Sequence, residues 1–92
     1  MKPEEIQFAL NLQALSAPQF RRIVEVLVEG SRTTEELSRL YKLTPASIEK
    51  HLDVLRESGL VKVHNREDAE EVRLLISKFK PTVEWFSKLN NL

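Results

Sequence analysis

TTEELSRLYKLTPASIEKHLDVLRESGLVKV, residues 33–63, is the stretch whose reading decides the fold. It reads as a short helix, a tight turn, a second helix that stops at a glycine, and a strand. Thr33 is placed to cap the first helix, and Glu36, three residues on, is placed to reach back to the free amide of the cap. Leu37 and Leu40 are expected to face a core, with Leu43 closing the turn. Thr44 caps the second helix, and Pro45 occupies its first position, where a missing N–H costs nothing. Ile48, Leu52 and Leu55 recur at i, i+4 and i+7 as one buried stripe with His51 at its edge. Gly59 supplies the left-handed residue that ends this helix, and Leu60 to Val63 begin a strand at once.

Two helices joined by about four residues, the second running into a strand, have the layout of a winged helix-turn-helix. A more specific pattern lies within it. Ser47, Ile48, His51, Leu52, Leu55, Gly59, Leu60 and Val61 stand in an order and spacing that resembles the recognition helix and first wing strand of the ArsR/SmtB-type winged-helix repressors. Those often read Ser-x-x-Thr-Val-Ser-x-His-Leu and then Leu-x-x-x-Gly-Leu-Val. The run ALSAPQFRRIVEVLVEG, residues 14–30, is similar to the helix that leads into the core of that family's domain. The resemblance spans roughly residues 6–76. It implies a DNA-binding regulator acting as a homodimer, with the first and last helices packing together across the dimer.

The rest of the chain agrees with one small domain over residues 1–92. Hydrophobic residues make up 41% and charged residues 30%, a globular balance rather than a disordered one. No apolar run reaches the roughly 18 residues of a membrane span, and the acidic start MKPEEIQF is unlike a secretory signal. Without cysteine there is no disulfide framework and no thiolate metal site. The cytoplasm is the simplest compartment for such a chain. Its 14 Lys and Arg balance its 14 Asp and Glu, so any phosphate-binding face must come from local arrangement rather than from net charge.

In chain order, Pro3–Leu15 reads as a helix with a dipole-matched start at Pro3, Glu4 and Glu5. Its apolar residues fall on two faces, Ile6, Ala9 and Leu10 on one and Phe8, Leu12 and Leu15 on the other. A surface helix needs one such stripe, so the second implies a further buried contact, either within the domain or across a homodimer. Ser16–Val28 is the next helix, with Ser16 as capping candidate, Phe20, Ile23, Val24, Leu27 and Val28 as core stripe, and Gly30 as its end. Helices Thr34–Tyr41 and Pro45–Glu57 follow, then strands Leu60–His64 and Glu71–Ile76 around a longer loop, with apolar residues at Val61, Val63, Val72 and Leu74. Pro81 marks a break before a last helix, residues 82–92. The expected fold is therefore mainly α with a small β-hairpin (α+β), a winged helix-turn-helix of about five helices and a two-stranded wing. The helix-turn-helix covers 33–59, the wing 60–76, and helices 3–15 and 82–92 serve dimerisation. Ile6, Phe8, Leu10, Leu12, Trp85, Phe86 and Leu89 are the dimer candidates.

An enzyme is not indicated: there is no glycine-rich phosphate loop, no nucleophile elbow, and neither histidine has a carboxylate at a diagnostic spacing. The resemblance raises metal sensing, but ELSRLYK and VEWFSKLNN, where such sensors place ligands, hold neither Cys nor His, and Glu84 alone is no site. No metal and no cofactor are expected. Double-stranded DNA is the expected partner, and Ala46, Glu49, Lys50, Asp53, Val54 and Glu57 face outward on the second helix. Lys50 is the base-edge candidate, Thr44 and Ser47 suit phosphate, Arg32 and Thr33 suit the backbone, and Arg66 on the wing suits a minor groove or a phosphate. Ala46 and His51 complete the candidate surface. Against this stand the acidic line Glu49, Asp53 and Glu57 and a wing whose Arg66 and Arg73 face Glu67, Asp68, Glu70 and Glu71. These carboxylates either face away into solvent or belong to a winged helix that has lost strong DNA binding and contacts a protein instead.

Overall fold

The central helices form where the local chemistry asks for them. Thr33 and Glu36 close a reciprocal capping box, Thr33 Oγ1 accepting from the Glu36 amide at 3.0 Å and the Thr33 amide donating to Glu36 Oε1 at 3.1 Å. Lys42 then takes a left-handed conformation (φ 54°) that ends the first helix. Thr44 Oγ1 accepts from the Ser47 amide at 3.2 Å to start the second, and Gly59 (φ 76°) stops it. The computed structural model describes residues 1–90. These form α1 (Pro3–Ser16), α2 (Pro18–Val28), β1 (Arg32–Thr33), α3 (Thr34–Tyr41), α4 (Pro45–Glu57), β2 (Val61–Asn65), β3 (Glu70–Leu74), a 3-10 turn (Ile76–Phe79) and α5 (Lys80–Asn90). The expected final two residues of the last helix, 91–92, lie outside the described residues.

The wing hairpin pairs β2 with β3 antiparallel, with Val61 opposite Leu74 and Val63 opposite Val72. The sheet has three strands rather than the expected two, in the order β1-β3-β2. An N-cap residue has extended backbone angles, so Thr33 and its neighbour Arg32 can lie along the free edge of β3, opposite Glu71 and Val72. The core sits where α2, α3, α4 and this sheet meet. Ile23, Leu37, Ile48, Leu52, Leu55, Leu60 and Val72 are essentially excluded from solvent there.

Several expectations need correction. Leu40 remains 54% exposed, because Leu37 and Tyr41, one turn apart, supply the inward face of α3 and the Tyr41 hydroxyl donates to the carbonyl of Arg22. Val28, at the last position of α2 and the edge of its stripe, is also exposed. Ser16 does not cap α2. It ends α1, its hydroxyl donating back to the Gln13 carbonyl at 2.9 Å, and Ala17 stands at the cap with no side-chain bond. Pro81 lies inside the first turn of α5, where its ring fits, so it helps to start that helix rather than to break it.

α1 buries neither of its two apolar stripes. Its inward residues, Asn11 and Ala14, lie between them. The Asn11 amide donates to the Lys78 carbonyl and to Thr82 Oγ1, both at 2.9 Å, and its oxygen accepts from Gln7 Nε2 at 2.9 Å. Gln7 Nε2 also donates to the Ser58 carbonyl at 3.1 Å, joining α1 to the end of α4. A buried amide with its valences filled is tolerated, and here it fixes α5 against α1. Among the described residues no helix is long and apolar enough to cross a membrane.

Candidate nucleic-acid interface

With Ile48, Leu52 and Leu55 spent on the core, the rest of α4 faces outward. Ala46, Lys50, Asp53, Val54 and Glu57 are exposed, Val54 and Glu57 beside a groove shared with Leu10 of α1 and Phe20 of α2. Thr44, capping through its Oγ1, and Pro45 leave the N-terminal turn open, and Thr44 Oγ1 is 3.2 Å from Ser47 Oγ. Two hydroxyls thus lie one turn from Lys50, at the end of α4 that carries the partial positive charge of the helix. Lys50 forms no ion pair among the described residues.

The acidic line is less continuous in space than in sequence. Asp53 Oδ1 lies 3.7 Å from the Arg56 guanidinium. Glu49 turns to the flank of α4 that faces the wing and is half-buried beside Glu70. Burial is the main reason its carboxyl is held above the ordinary range. A hydrogen bond to Glu70 and the Glu70 charge add to this, Arg56 opposes it, and Asp53 adds a little. Glu57 is exposed on the outward face.

Thr44, Ala46, Ser47 and Lys50 are therefore brought together. The other candidates are held elsewhere. Arg32 folds its guanidinium back on the preceding loop, donating to the carbonyls of Gly30 and Ser31 at 3.0 Å, with Glu29 3.7 Å away. Thr33 is engaged in the capping box. His51 is half-buried, its Nδ1 against the Ser47 carbonyl and its ring edge-on to Phe20 with centroids 5.6 Å apart. It packs on α2, away from Lys50, and does not join the outward group. Arg66 is on the wing as expected, but its guanidinium lies 3.1 Å from Glu71 Oε1. One cation was missed. Arg39 on α3 is exposed and lines the groove that also contains Pro45 and Glu49. It lies on the flank of α3 opposite Leu37, a position that the helical repeat already discloses.

A second surface is apolar. Phe8 of α1 meets Trp85 of α5 with ring centroids 5.5 Å apart, and Trp85 meets Phe86 at 5.1 Å. Leu12, Phe86 and Leu89 are exposed on the same pair of helices. Ile6 is exposed on the other stripe of α1, and Leu10 lines a separate groove with Phe20 and Val54. Among the described residues no group of three or more His, Cys, Asp or Glu is placed to hold a metal ion.

Comparison with known proteins places this geometry. Residues 18–63 match the family model described as bacterial regulatory protein, arsR family. No curated protein matches. Among solved structures, one described as an ArsR family transcriptional regulator superposes with a TM-score of 0.80 at 24% identity, over 99% of this chain and 92% of that one. The transcriptional repressor BigR from Xylella fastidiosa is 28% identical, with a TM-score of 0.72 over 97% and 96% of the two chains. A homodimeric winged helix-turn-helix DNA-binding domain from Mycobacterium bovis, described as a possible ArsR-family regulator, shares the fold at 17% identity. Its TM-score is 0.71, over 92% of this chain and 81% of that one.

Proposed function

The chain belongs to the ArsR family of bacterial regulatory proteins, and from that premise we propose that it is a sequence-specific DNA-binding transcriptional regulator acting as a homodimer. α4 enters the major groove, with Lys50 donating to guanine O6 or N7 and Ala46 allowing close approach. Thr44, Ser47 and the Ala46 amide at the start of α4 hold phosphates, with Arg39 beside them. Arg66 reaches the backbone or minor groove after exchanging Glu71 for phosphate. Ile6, Phe8, Leu10, Leu12, Trp85, Phe86 and Leu89 supply the pairing surface, α1 and α5 acting as the dimerisation elements. The single observation that carries this reading is the outward group on α4: it is exposed, and its lysine forms no ion pair among the described residues. The chain is a non-metal-sensing member on this reading, since it has no cysteine and the helices where such sensors carry ligands offer none. Its workplace is the cytoplasm.

Binding to a duplex selected from a random pool, followed by fluorescence anisotropy across a salt series, tests the proposal. Affinity should fall steeply with salt. Lys50→Ala should cost about 1–3 kcal/mol and relax preference at one base pair. Undetectable binding at low salt ends the DNA reading. The ion pair that ties Arg66 to Glu71 beside exposed Glu67 and Asp68 favours one second reading, a winged helix that docks a basic protein surface. On that reading Asp53→Lys abolishes a protein complex and Lys50→Ala leaves it intact.

A further inference from the structure

The groove between α3, α4 and the wing has a volume of about 220 Å³ and is lined by two carboxyl-bearing residues from different elements, Glu49 and Glu70. Glu49 stands one turn into α4. Glu70 is the first residue of β3, opposite Asn65 and next to the wing tip that the Arg66 amide closes on the Ala69 carbonyl at 2.8 Å. Both are half-buried, and neither forms an ion pair among the described residues. Such a pair holds together while one proton is shared and repels once both groups are ionised. We infer that Glu49 and Glu70 form an acid-closed latch between the recognition helix and the wing, and that its ionisation weakens DNA binding; the second half rests on the function proposed above.

Opening acts twice on the same face. It pushes the root of the wing away from α4, and it adds negative charge at the flank of α4 that approaches phosphate. Other charged groups set the background. Glu35 and Arg39 line the groove from α3, and Asp53 and Arg56 lie further along α4, close to each other. The carboxyl of Glu49 is already held above its ordinary range, first by burial and then by Glu70. Acid therefore closes the latch and alkali opens it.

Carboxyl-carbon NMR of the whole chain, titrated from acid to alkaline pH, reads the latch without DNA. Glu49 should titrate above the ordinary glutamate value of about 4.3. In Glu70→Gln its midpoint should drop toward that value, and in the wild-type protein the β3 amide shifts should follow the same midpoint. An ordinary midpoint for Glu49, or one unmoved by Glu70→Gln, overturns the latch. Anisotropy with the selected duplex then reads the consequence. Across the pH range in which Glu49 titrates, the wild-type protein should lose affinity that Glu49→Gln retains, about tenfold for each unit by which duplex binding moves the Glu49 midpoint. Equal pH slopes overturn the regulatory half even where the carboxyls titrate together. If no duplex binds at any pH, the DNA reading and the regulatory half fail together, and the NMR arm alone decides whether the latch exists.

Discussion

α4 and α5 are both amphipathic helices, and they dispose of their apolar residues in opposite ways. α4 buries Ile48, Leu52 and Leu55 completely and turns polar side chains outward. α5 anchors itself inward through a buried polar residue, Thr82, and leaves Val83, Trp85, Phe86 and Leu89 between 43% and 60% exposed. The first helix is finished within its own chain, and what it offers is a charged, hydrogen-bonding surface. The second is unfinished, and its aromatic surface suits contact with another protein surface. On the function proposed above, the contrast divides the molecule into a half that reads and a half that pairs.

The comparison breaks first, if it breaks, at the apolar positions. Leu52→Ala should cost about 2–5 kcal/mol in urea unfolding, because it removes a fully buried side chain and leaves a cavity. Leu89→Ala, of similar chemistry, should change unfolding of the monomer little. It should instead raise the dimer dissociation constant, read by light scattering against the 10.7 kDa chain mass. Equal effects on folding would mean that α5 is core like α4, and the division fails. Asn11→Ala comes next. It strips the partner from Thr82 and from the Lys78 carbonyl, at about 1–3 kcal/mol. If α5 is held by that polar anchor, its amide hydrogen exchange should quicken more than that of α4.

The reading half was legible in the sequence, and the pairing half only in outline. Thr33, Glu36, Thr44, Pro45 and Gly59 act on backbone within three or four residues of themselves, so their spacing suffices to place α3 and α4. β1 could not be seen that way: two residues, Arg32 and Thr33, become a strand only because β3 lies beside them. The sequence offered no sign of the buried role of Asn11, because its partner Thr82 lies 71 residues away. Ser16 was read as a cap because serine caps often, but Ala17 holds the position and the serine hydroxyl turns back. Arg66 was set against four wing carboxylates, and only the folded hairpin shows that Glu71, across the wing loop, is the one that holds it. Local chemistry is written in order along the chain; long-range partners are not. For the candidate interface this left Thr44, Ala46, Ser47 and Lys50 legible from one helix, while the placement of Arg39 and the meeting of Glu49 with Glu70 required the fold.

The smallest expected effect sharpens the same division at the helix starts. α3 and α4 begin on side-chain caps, whereas α1 and α2 begin at Lys2 and Ala17 with none. Thr33→Ala should cost about 1 kcal/mol. The pH profile then separates two carboxylates of the reading half, the exposed Glu36 and the half-buried Glu49. The carboxyl of Glu36 is held below its ordinary range, chiefly by the Thr33 amide and then by the Thr33 hydroxyl. Its stabilisation is complete above the ordinary glutamate range and fades as pH falls through the lower folded value. Glu49 is held above its range, so its contribution is present in acid and lost as pH rises through the higher folded value. Melting temperatures should show Glu36→Gln below wild type at neutral pH and converging on it in acid. Glu49→Gln should rise above wild type as pH increases. Profiles that shift the same way would mean that the capping box, and not only the latch, is misassigned.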